Sequence, residues 1–248
     1  MNAILTIAKR EIFAFFVSPI AYVVLTVWLL FFGIVFYILA LVFAQQPGAE
    51  TNLLTAFFGG TTLFYLPLLV FTPVLTMRLL AEERASGTIE PLLTAPVSEL
   101  QVVLGKYLAA MAFWCLLWAP TLSYVWLVAR TADHAVDWGS IGATYLGLFS
   151  VGLLYMAVGL LMSAVARNQI IAALLTFLVL GSLFVIGLAG YANVGDEMRA
   201  VFEYLGLWTQ MSGFAKGIVD TRYLVYDATV ALVALVLAVR ALQTDRSA

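Results

Sequence analysis

The sequence predicts an all-α, polytopic membrane protein with six transmembrane helices, an N-terminal interfacial helix and one further short cytoplasmic helix. Hydrophobic residues make up 64% of the 248 residues and charged residues only 10%, whereas soluble domains are roughly 45–50% apolar and about 25% charged. A helix that crosses the hydrocarbon core of a bilayer needs about 20 mostly apolar residues. Because lipid offers the backbone no hydrogen-bond partners, each such segment must be helical. Six segments qualify within a single transmembrane domain, 1–248: Ile20–Ala44, Thr61–Leu80, Tyr107–Ala129, Ile141–Ala166, Gln169–Tyr191 and Leu224–Leu242.

The first 18 residues form a separate unit before the first span. Their apolar residues repeat at helical spacing, and Ser18-Pro19 then interrupts the helix. This pattern predicts an amphipathic helix in the membrane interface, although a ragged extension of the first span is an alternative. The first span is too long for a signal peptide, whose apolar region has about 7–15 residues, so we expect it to be retained. The apolar face comprises Ile4, Leu5, Ala8, Ile12, Phe15 and Phe16, and the polar face Asn2, Thr6, Lys9 and Arg10.

Basic residues predict that both termini of this multi-pass protein lie in the cytoplasm, as in a cell inner (plasma) membrane. With that orientation, eight basic residues lie on the inner side and four on the outer side, as the positive-inside rule favours. The inner set is Lys9, Arg10, Arg78, Arg84, Lys106, Arg167, Arg240 and Arg246, and the outer set is Arg130, Arg199, Lys216 and Arg222.

The cytoplasmic loop 81–106 is unusually rich in charge and turn signals. Seven charged residues fall between Arg78 and Lys106, whereas the flanking apolar segments carry none. Ser86-Gly87 is a turn signal that ends the second helix, and Thr88 is a suitable N-cap for a short helix up to Ala95. Pro91 is tolerated in the first turn of that helix. Ser98 and Gln101 have the spacing of a capping box, which predicts that the third helix begins several residues before the membrane.

The short helix 88–95 has an apolar face beside charged residues. Ile89, Leu92 and Leu93 share one face at helical spacing, while Glu90 and Thr94 point elsewhere. An apolar patch beside Glu82, Glu83 and Arg84 favours a docking surface. A solvated connector whose charges keep the hairpin in the cytoplasm is the alternative.

The same loop resembles a known family. The string from Ala81 to Ser98, AEERASGTIEPLLTAPVS, followed by Val103-Leu104-Gly105-Lys106, is similar to the signature of ABC-2 type transporter permeases, in particular the gliding-motility-type exporter branch. The segment Phe214–Asp220, FAKGIVD, resembles the same branch. The two motifs cover about a sixth of the chain, and the six-span layout with its N-terminal helix extends the likeness over nearly all of it.

The resemblance implies a transport subunit that works with a separate cytoplasmic ABC ATPase and a second permease subunit, identical or related. Thr88–Ala95 would be the coupling helix that docks on the ATPase, and ATP and Mg would be bound by that partner. The connection 192–223 would form re-entrant helices at the outer face, broken by Gly195, Gly206, Gly213 and Gly217. Pro91 departs from the family pattern, in which a helix former such as Leu is expected. The implied ATPase-contact residues are Glu82, Glu83, Arg84, Thr88, Ile89, Glu90, Leu92 and Leu93.

The chain carries no sequence motif for nucleotide hydrolysis or other catalysis. No G-x-x-x-x-G-K-[ST], H-E-x-x-H or G-x-S-x-G motif occurs, so we expect no catalytic, cofactor-binding or metal-binding residues and no nucleic-acid partner. An ion-coupled secondary transporter is less favoured because no span has an ionisable residue at its centre. A non-transporting membrane scaffold, whose ATPase would perform mechanical work on an extracytoplasmic partner, stays open as an alternative. A narrow, uncharged interior would favour an amphipathic or lipid-linked cargo.

Small residues in the fourth span predict a close helix contact. Gly152, Gly159 and Ser163 lie along one stripe of that helix, and such stripes let neighbouring helices approach closely. The contact could be within the subunit or across a dimer. Pro67, Pro73 and Pro120 are expected to kink the second and third spans, either as gating hinges or as ordinary features of membrane helices.

Overall fold

A computed structural model describes residues 2–45, 52–87, 97–131, 136–189 and 196–247, and this part of the chain is helical without a β-strand. The helices, in chain order, are α1 Asn2–Val17, α2 Pro19–Ala44, α3 Leu53–Gly60, α4 Thr62–Thr76, α5 Ala81–Ala85, α6 Glu99–Trp118, α7 Leu122–Thr131, α8 Trp138–Val165, α9 Gln169–Ala189, α10 Asp196–Leu205, α11 Leu207–Ala215 and α12 Thr221–Ser247.

Five helical segments of the described chain are long and apolar enough to cross a membrane. They are α2, the α6–α7 segment Glu99–Thr131, α8, α9 and α12. The pair α3 and α4 passes the same test together but is bent by 46°, so it would be a sixth span if it counts as one. The protein is therefore a multi-pass membrane protein. The predicted span Thr61–Leu80 corresponds to the shorter α4, which ends at Thr76 because the chain turns through residues 77–80 before α5 begins.

The bend between α3 and α4 is built around a widened helical turn. Ala56–Gly60 is π-helical, and Thr61 is extended, with φ −124° and ψ 141°. The Tyr65 hydroxyl donates to the Gly59 carbonyl at 3.0 Å. A Cβ on Gly59 would lie 2.9 Å from the backbone carbonyl oxygen of Met211, so glycine is required for α11 to approach this closely.

The third apolar segment begins at its predicted capping box and is interrupted at its proline. The predicted capping box is confirmed, because the Ser98 hydroxyl accepts from Gln101 N–H and the Gln101 side chain accepts from Ser98 N–H. At Pro120 the helix changes into the 3₁₀ turn Ala119–Thr121. Two side chains donate to backbone carbonyls beside this break, the Trp28 indole to Leu117 at 3.0 Å and the Thr121 hydroxyl to Trp118 at 2.6 Å. Such partners satisfy the backbone groups that a proline releases in a membrane helix.

Helix α8 lies at the centre of the bundle. It packs against α4, α6, α9, α11 and α12, and most of it is buried, whereas most of α2 and α12 faces outwards. Small residues allow these contacts. A Cβ on Gly152 would lie 2.3 Å from Trp114 Nε1, and one on Gly159 would lie 2.3 Å from Thr76 Oγ1. With Ser163, which contacts α5, all three predicted packing residues meet other helices of the same chain.

Helix α1 packs along α6, and Ile7 meets Gly105 there. Ile7 and Ala8 are buried, while Thr6, Lys9 and Arg10 point outwards as the sequence pattern predicted. Leu5 and Phe16 differ from that pattern because they are exposed. An exposed apolar side away from the bundle is what a helix in the membrane interface presents to lipid.

The connection between α9 and α12 contains two short helices that return to the bundle. Helix α10 ends before Gly206, and α11 buries Leu207, Gln210, Met211 and Phe214 against α8 and α3. Gly217, with φ +83°, makes the turn after α11, a backbone conformation that favours glycine. Gly213 lies inside α11, and Gly195 lies outside the described residues.

We predict that replacing Gly152 by alanine lowers the stability of the bundle by about 1–3 kcal/mol, the usual cost of overpacking a close helix contact. The new methyl group would displace the Trp114 indole, which donates to the Leu148 carbonyl at 3.0 Å. Thermal unfolding of the purified chain measures the effect. Gly142→Ala in the same helix is the control, because among the described residues no atom of another helix lies within 4 Å of that Cβ position. Equal unfolding temperatures for the two variants would contradict the packing described for Gly152.

Candidate functional site

A buried lysine joins three helices at the end of the bundle that carries residues 78–106. Lys106, near the start of α6, has a side chain that is only 1% exposed. Its Nζ donates to Glu11 Oε1 on α1 at 3.0 Å and to Glu83 Oε1 on α5 at 2.9 Å. Arg10 Nη2 lies 3.0 Å from Glu11 Oε1 and 3.5 Å from Glu83 Oε1. We call Arg10, Glu11, Glu83 and Lys106 the ionic cluster.

The ionic cluster holds its helices together because its charges depend on one another. Burying a charged lysine side chain away from water is strongly unfavourable unless carboxylates neutralise its charge. Breaking a buried ion pair by removing one partner costs about 3–5 kcal/mol, because the remaining charge stays buried. Lys106 has two carboxylate partners, from α1 and from α5. The position of both helices relative to α6 is therefore fixed by one ammonium group.

Arg78 adds a second polar link beside the ionic cluster. Its Nε and Nη2 donate to the two carboxylate oxygens of Glu82 at 2.7 and 3.0 Å, and Nη1 donates to Ser18 Oγ at 2.9 Å. Hydrogen bonding from the Arg78 guanidinium lowers the pKa of Glu82 below its ordinary value, since it stabilises the ionised carboxylate. The link connects α5 to the break between α1 and α2.

Helix α8 fixes the other side of α5. The Ser163 hydroxyl accepts from the backbone N–H groups of Leu80 and Ala81, each at 3.0 Å, so a side chain from another helix caps the first turn of α5. Arg84 Nη1 donates to the Ala166 carbonyl at 2.9 Å. The five-residue helix is thus held between α1, α6 and the end of α8.

The contacts of α5 also involve the helix that follows residues 88–96. Helix α5 leads to Gly87, whose φ of +72° ends the helical path, and α6 starts after Ser98. Glu83 on α5 and Lys106 on α6 are bonded to each other. The two helices that flank residues 88–96 are therefore bonded to each other.

The predicted docking residues fall into two groups, of which the structure describes one. Glu82, Glu83 and Arg84 lie on α5, are partly exposed and all bind other residues of the chain. The predicted short helix Thr88–Ala95 lies outside the described residues, together with the remaining predicted contacts Thr88, Ile89, Glu90, Leu92 and Leu93.

Sequence reasoning missed the burial of two charged residues. Glu11 was not assigned to a face of α1. Lys106 was counted as a topological signal and as part of the family-like string, without a prediction that its side chain is buried. The available signal was the position of Lys106, which follows one turn after Val102 and Val103, two buried residues of α6.

A second polar centre, also missed, lies inside the bundle. Asp227 on α12 is 2% exposed, and its Oδ2 accepts from Ser150 Oγ and Gln210 Nε2, each at 2.6 Å. In the sequence Asp227 stands near the start of the sixth apolar segment, Leu224–Leu242, and it was not singled out. Its partner Ser150 lies near the middle of α8. Elsewhere in the described ranges, no group of three or more His, Cys, Asp or Glu could hold a metal ion.

Residues 43–242 match the family model described as ABC-2 family transporter protein. The match runs from the end of α2 into α12 and includes α5, α6 and the segment between them. No curated protein matches the chain.

We predict that Lys106→Met destabilises the protein by about 3 kcal/mol, because Glu11 and Glu83 would lose their buried partner. Loss of the helix contact should appear as a lower thermal unfolding temperature of the purified chain. Arg10→Met serves as the control, since the Arg10 side chain is 59% exposed and exposed ion pairs contribute about 0–1 kcal/mol. If both variants unfold at the same temperature, the buried lysine does not hold the three helices together.

Proposed function

The chain belongs to the ABC-2 transporter family as a membrane-spanning permease component, and we propose that it couples ATP hydrolysis by a separate cytoplasmic ATPase to export or to mechanical work across the membrane. The subunit itself supplies no nucleotide-binding motif. ATP and Mg are bound by the partner in this proposal, and the permease supplies the docking surface and the path through the membrane.

The observation that supports the proposal is that the two helices flanking residues 88–96 are bonded to each other and to the rest of the bundle. Glu83 and Lys106 bond α5 to α6, and Glu11 adds α1 to the same group. Ser163 and Ala166 connect α5 to the end of α8, the central helix. A partner that moves α5 or the start of α6 would therefore also act on α1 and α8.

The proposed docking surface is the apolar face of Thr88–Ala95. Ile89, Leu92 and Leu93 would enter an apolar cleft of the ATPase, with Thr88 and Glu90 at its edge. Glu82 and Arg84 flank the segment and are partly exposed, so we assign them to the rim of the contact. Glu83 would contribute by holding α5 in place, because its carboxylate binds Lys106.

In the proposed complex the loop and both termini face the cytoplasm of a cell inner membrane. The excess of basic residues on that side supports the orientation. A second permease subunit, identical or related, completes the pathway. Helices α2, α9 and α12 are mostly unburied within the chain and offer the surfaces that lipid and this second subunit would cover. An amphipathic or lipid-linked cargo suits the apolar composition.

We predict that the double substitution Leu92→Asp and Leu93→Asp abolishes co-purification of the ATPase and leaves membrane insertion unchanged. Two charges in an apolar contact cannot be buried without a partner. The measurement is affinity purification of the chain in mild detergent, with mass identification of bound proteins and an ATPase assay. Thr94→Asp is the matched control, since Thr94 lies on another face of the same predicted helix and should retain the partner.

The same purification separates the proposal from its alternatives. A stoichiometric P-loop ATPase bound to the wild-type chain is the expected result. Its absence in several detergents would favour a membrane scaffold or an ion-coupled secondary transporter. Normal co-purification of the double variant would contradict the proposed place of contact.

A further inference from the structure

Asp227 lies where three helices meet, and its hydrogen bonds use only one carboxylate oxygen. Oδ2 accepts from Ser150 on α8 and from Gln210 on α11, each at 2.6 Å, and no hydrogen bond to Oδ1 is present in the described part of the chain. Hydroxyl donors at about 2.5–2.7 Å are typical of an ionised acceptor. Oδ2 thus connects the three helices through hydrogen bonds, and Oδ1 is available to a ligand.

The two hydrogen bonds leave the charge of Asp227 uncompensated. Serine and glutamine are neutral donors, and no Lys, Arg or His in the described ranges lies within ion-pair distance of this carboxylate. The surrounding side chains include Val151, Leu154 and Phe184. A buried carboxylate in apolar surroundings has to be neutralised by a proton or by a cation.

A small cavity lies next to Asp227. Its volume is about 20 Å³, and its polar lining consists of Tyr155, Gln210, Tyr226 and Asp227. Tyr155 is only 4% exposed, and its hydroxyl has no hydrogen-bond partner within the described residues. A cavity of about 10–15 Å³ on this measure holds one water-sized particle. The side chains of Asp227 and Tyr155 therefore both line a space of that size.

We propose that this cavity is a binding site for one small monovalent cation, either a hydrated proton or an alkali ion. The cation would be held between Asp227 and the Tyr155 hydroxyl and would neutralise the carboxylate. The other titratable groups around the site are tyrosines, namely Tyr226 and Tyr204, whose rings lie 5.7 Å apart. Because Asp227 also holds Gln210, occupancy of the site stabilises the position of α11 against α8 and α12.

The test uses the purified full chain in lipid nanodiscs and follows thermal unfolding by intrinsic tryptophan fluorescence. Sodium or potassium chloride is compared with N-methylglucamine chloride at equal ionic strength, and a second series varies the pH without alkali ions. A cation at about 100 times its Kd raises the unfolding temperature of a protein of this size by about 5–10 °C. We expect a rise of this order for the wild type.

The decisive variant is Asp227→Asn, which removes the charge while its amide oxygen can still accept from Ser150 and Gln210. Its unfolding temperature should not rise with alkali ions, and on acidification it should rise less than that of the wild type. Ser150→Ala removes one hydrogen bond but keeps the charge, so it should unfold earlier and still respond. A response to alkali ions identifies a metal cation, and a response only to lower pH identifies the proton.

Two results would overturn the proposal: a wild-type chain that responds to neither series, or an Asp227→Asn variant that responds as the wild type does. If Asp227→Asn does not fold, Tyr155→Phe takes its place, and an undiminished response of that variant would likewise overturn the site. The measurements need no ATPase, so their outcome is independent of the proposed transport function.

Discussion

An ammonium group without access to water sets the geometry of the loop-bearing end of this protein. Lys106 is held by carboxylates from α1 and α5, two helices that do not follow each other in the chain. If either carboxylate moved away from Lys106, a buried charge would lose part of its neutralisation. The three helices therefore move as one body. An apolar contact of the same area would allow sliding, whereas hydrogen bonds of 2.9 and 3.0 Å fix both distance and direction. The helices on either side of residues 88–96 share that fixed geometry.

The rest of the bundle follows from how closely helices can approach α8. Lipid does not drive helices together by hydrophobic burial, so packing and interhelical hydrogen bonds must do so. The Trp114 indole packs against Gly152, and the Thr76 side chain packs against Gly159. Ser163 Oγ accepts hydrogen bonds from two backbone N–H groups at the start of α5. One face of α8 therefore packs closely against its neighbours over most of its length and forms hydrogen bonds at its end. This arrangement connects the ionic cluster to the centre of the membrane domain.

Composition and apolar length were sufficient to predict an all-helical membrane protein and the approximate position of most spans. Local signals were equally informative, as the Ser98–Gln101 capping box and the break at Pro120 show. What the sequence could not show was which polar residues meet across the fold. Lys106 and Glu11 are 95 positions apart, and Asp227 and Ser150 are 77 apart. No periodicity within one helix encodes such a pair, because the partner is chosen by tertiary packing. The widened turn at Ala56–Gly60 was missed for the same reason, since its close neighbour, Met211, is remote in the chain.

The contact between α3 and α11 has a consequence for biosynthesis. Thr55 donates to the Ala215 carbonyl at 3.1 Å, and Gly59 lies against the backbone of Met211 and Ser212. These partners leave the ribosome only after five of the apolar segments have been made. Helix α3 therefore cannot make these contacts until the last quarter of the chain has been synthesised. Contacts of long sequence separation form late and leave earlier segments exposed meanwhile. Assembly of this end of the bundle thus belongs to the final stage of membrane insertion, when α11 arrives and α12 follows it.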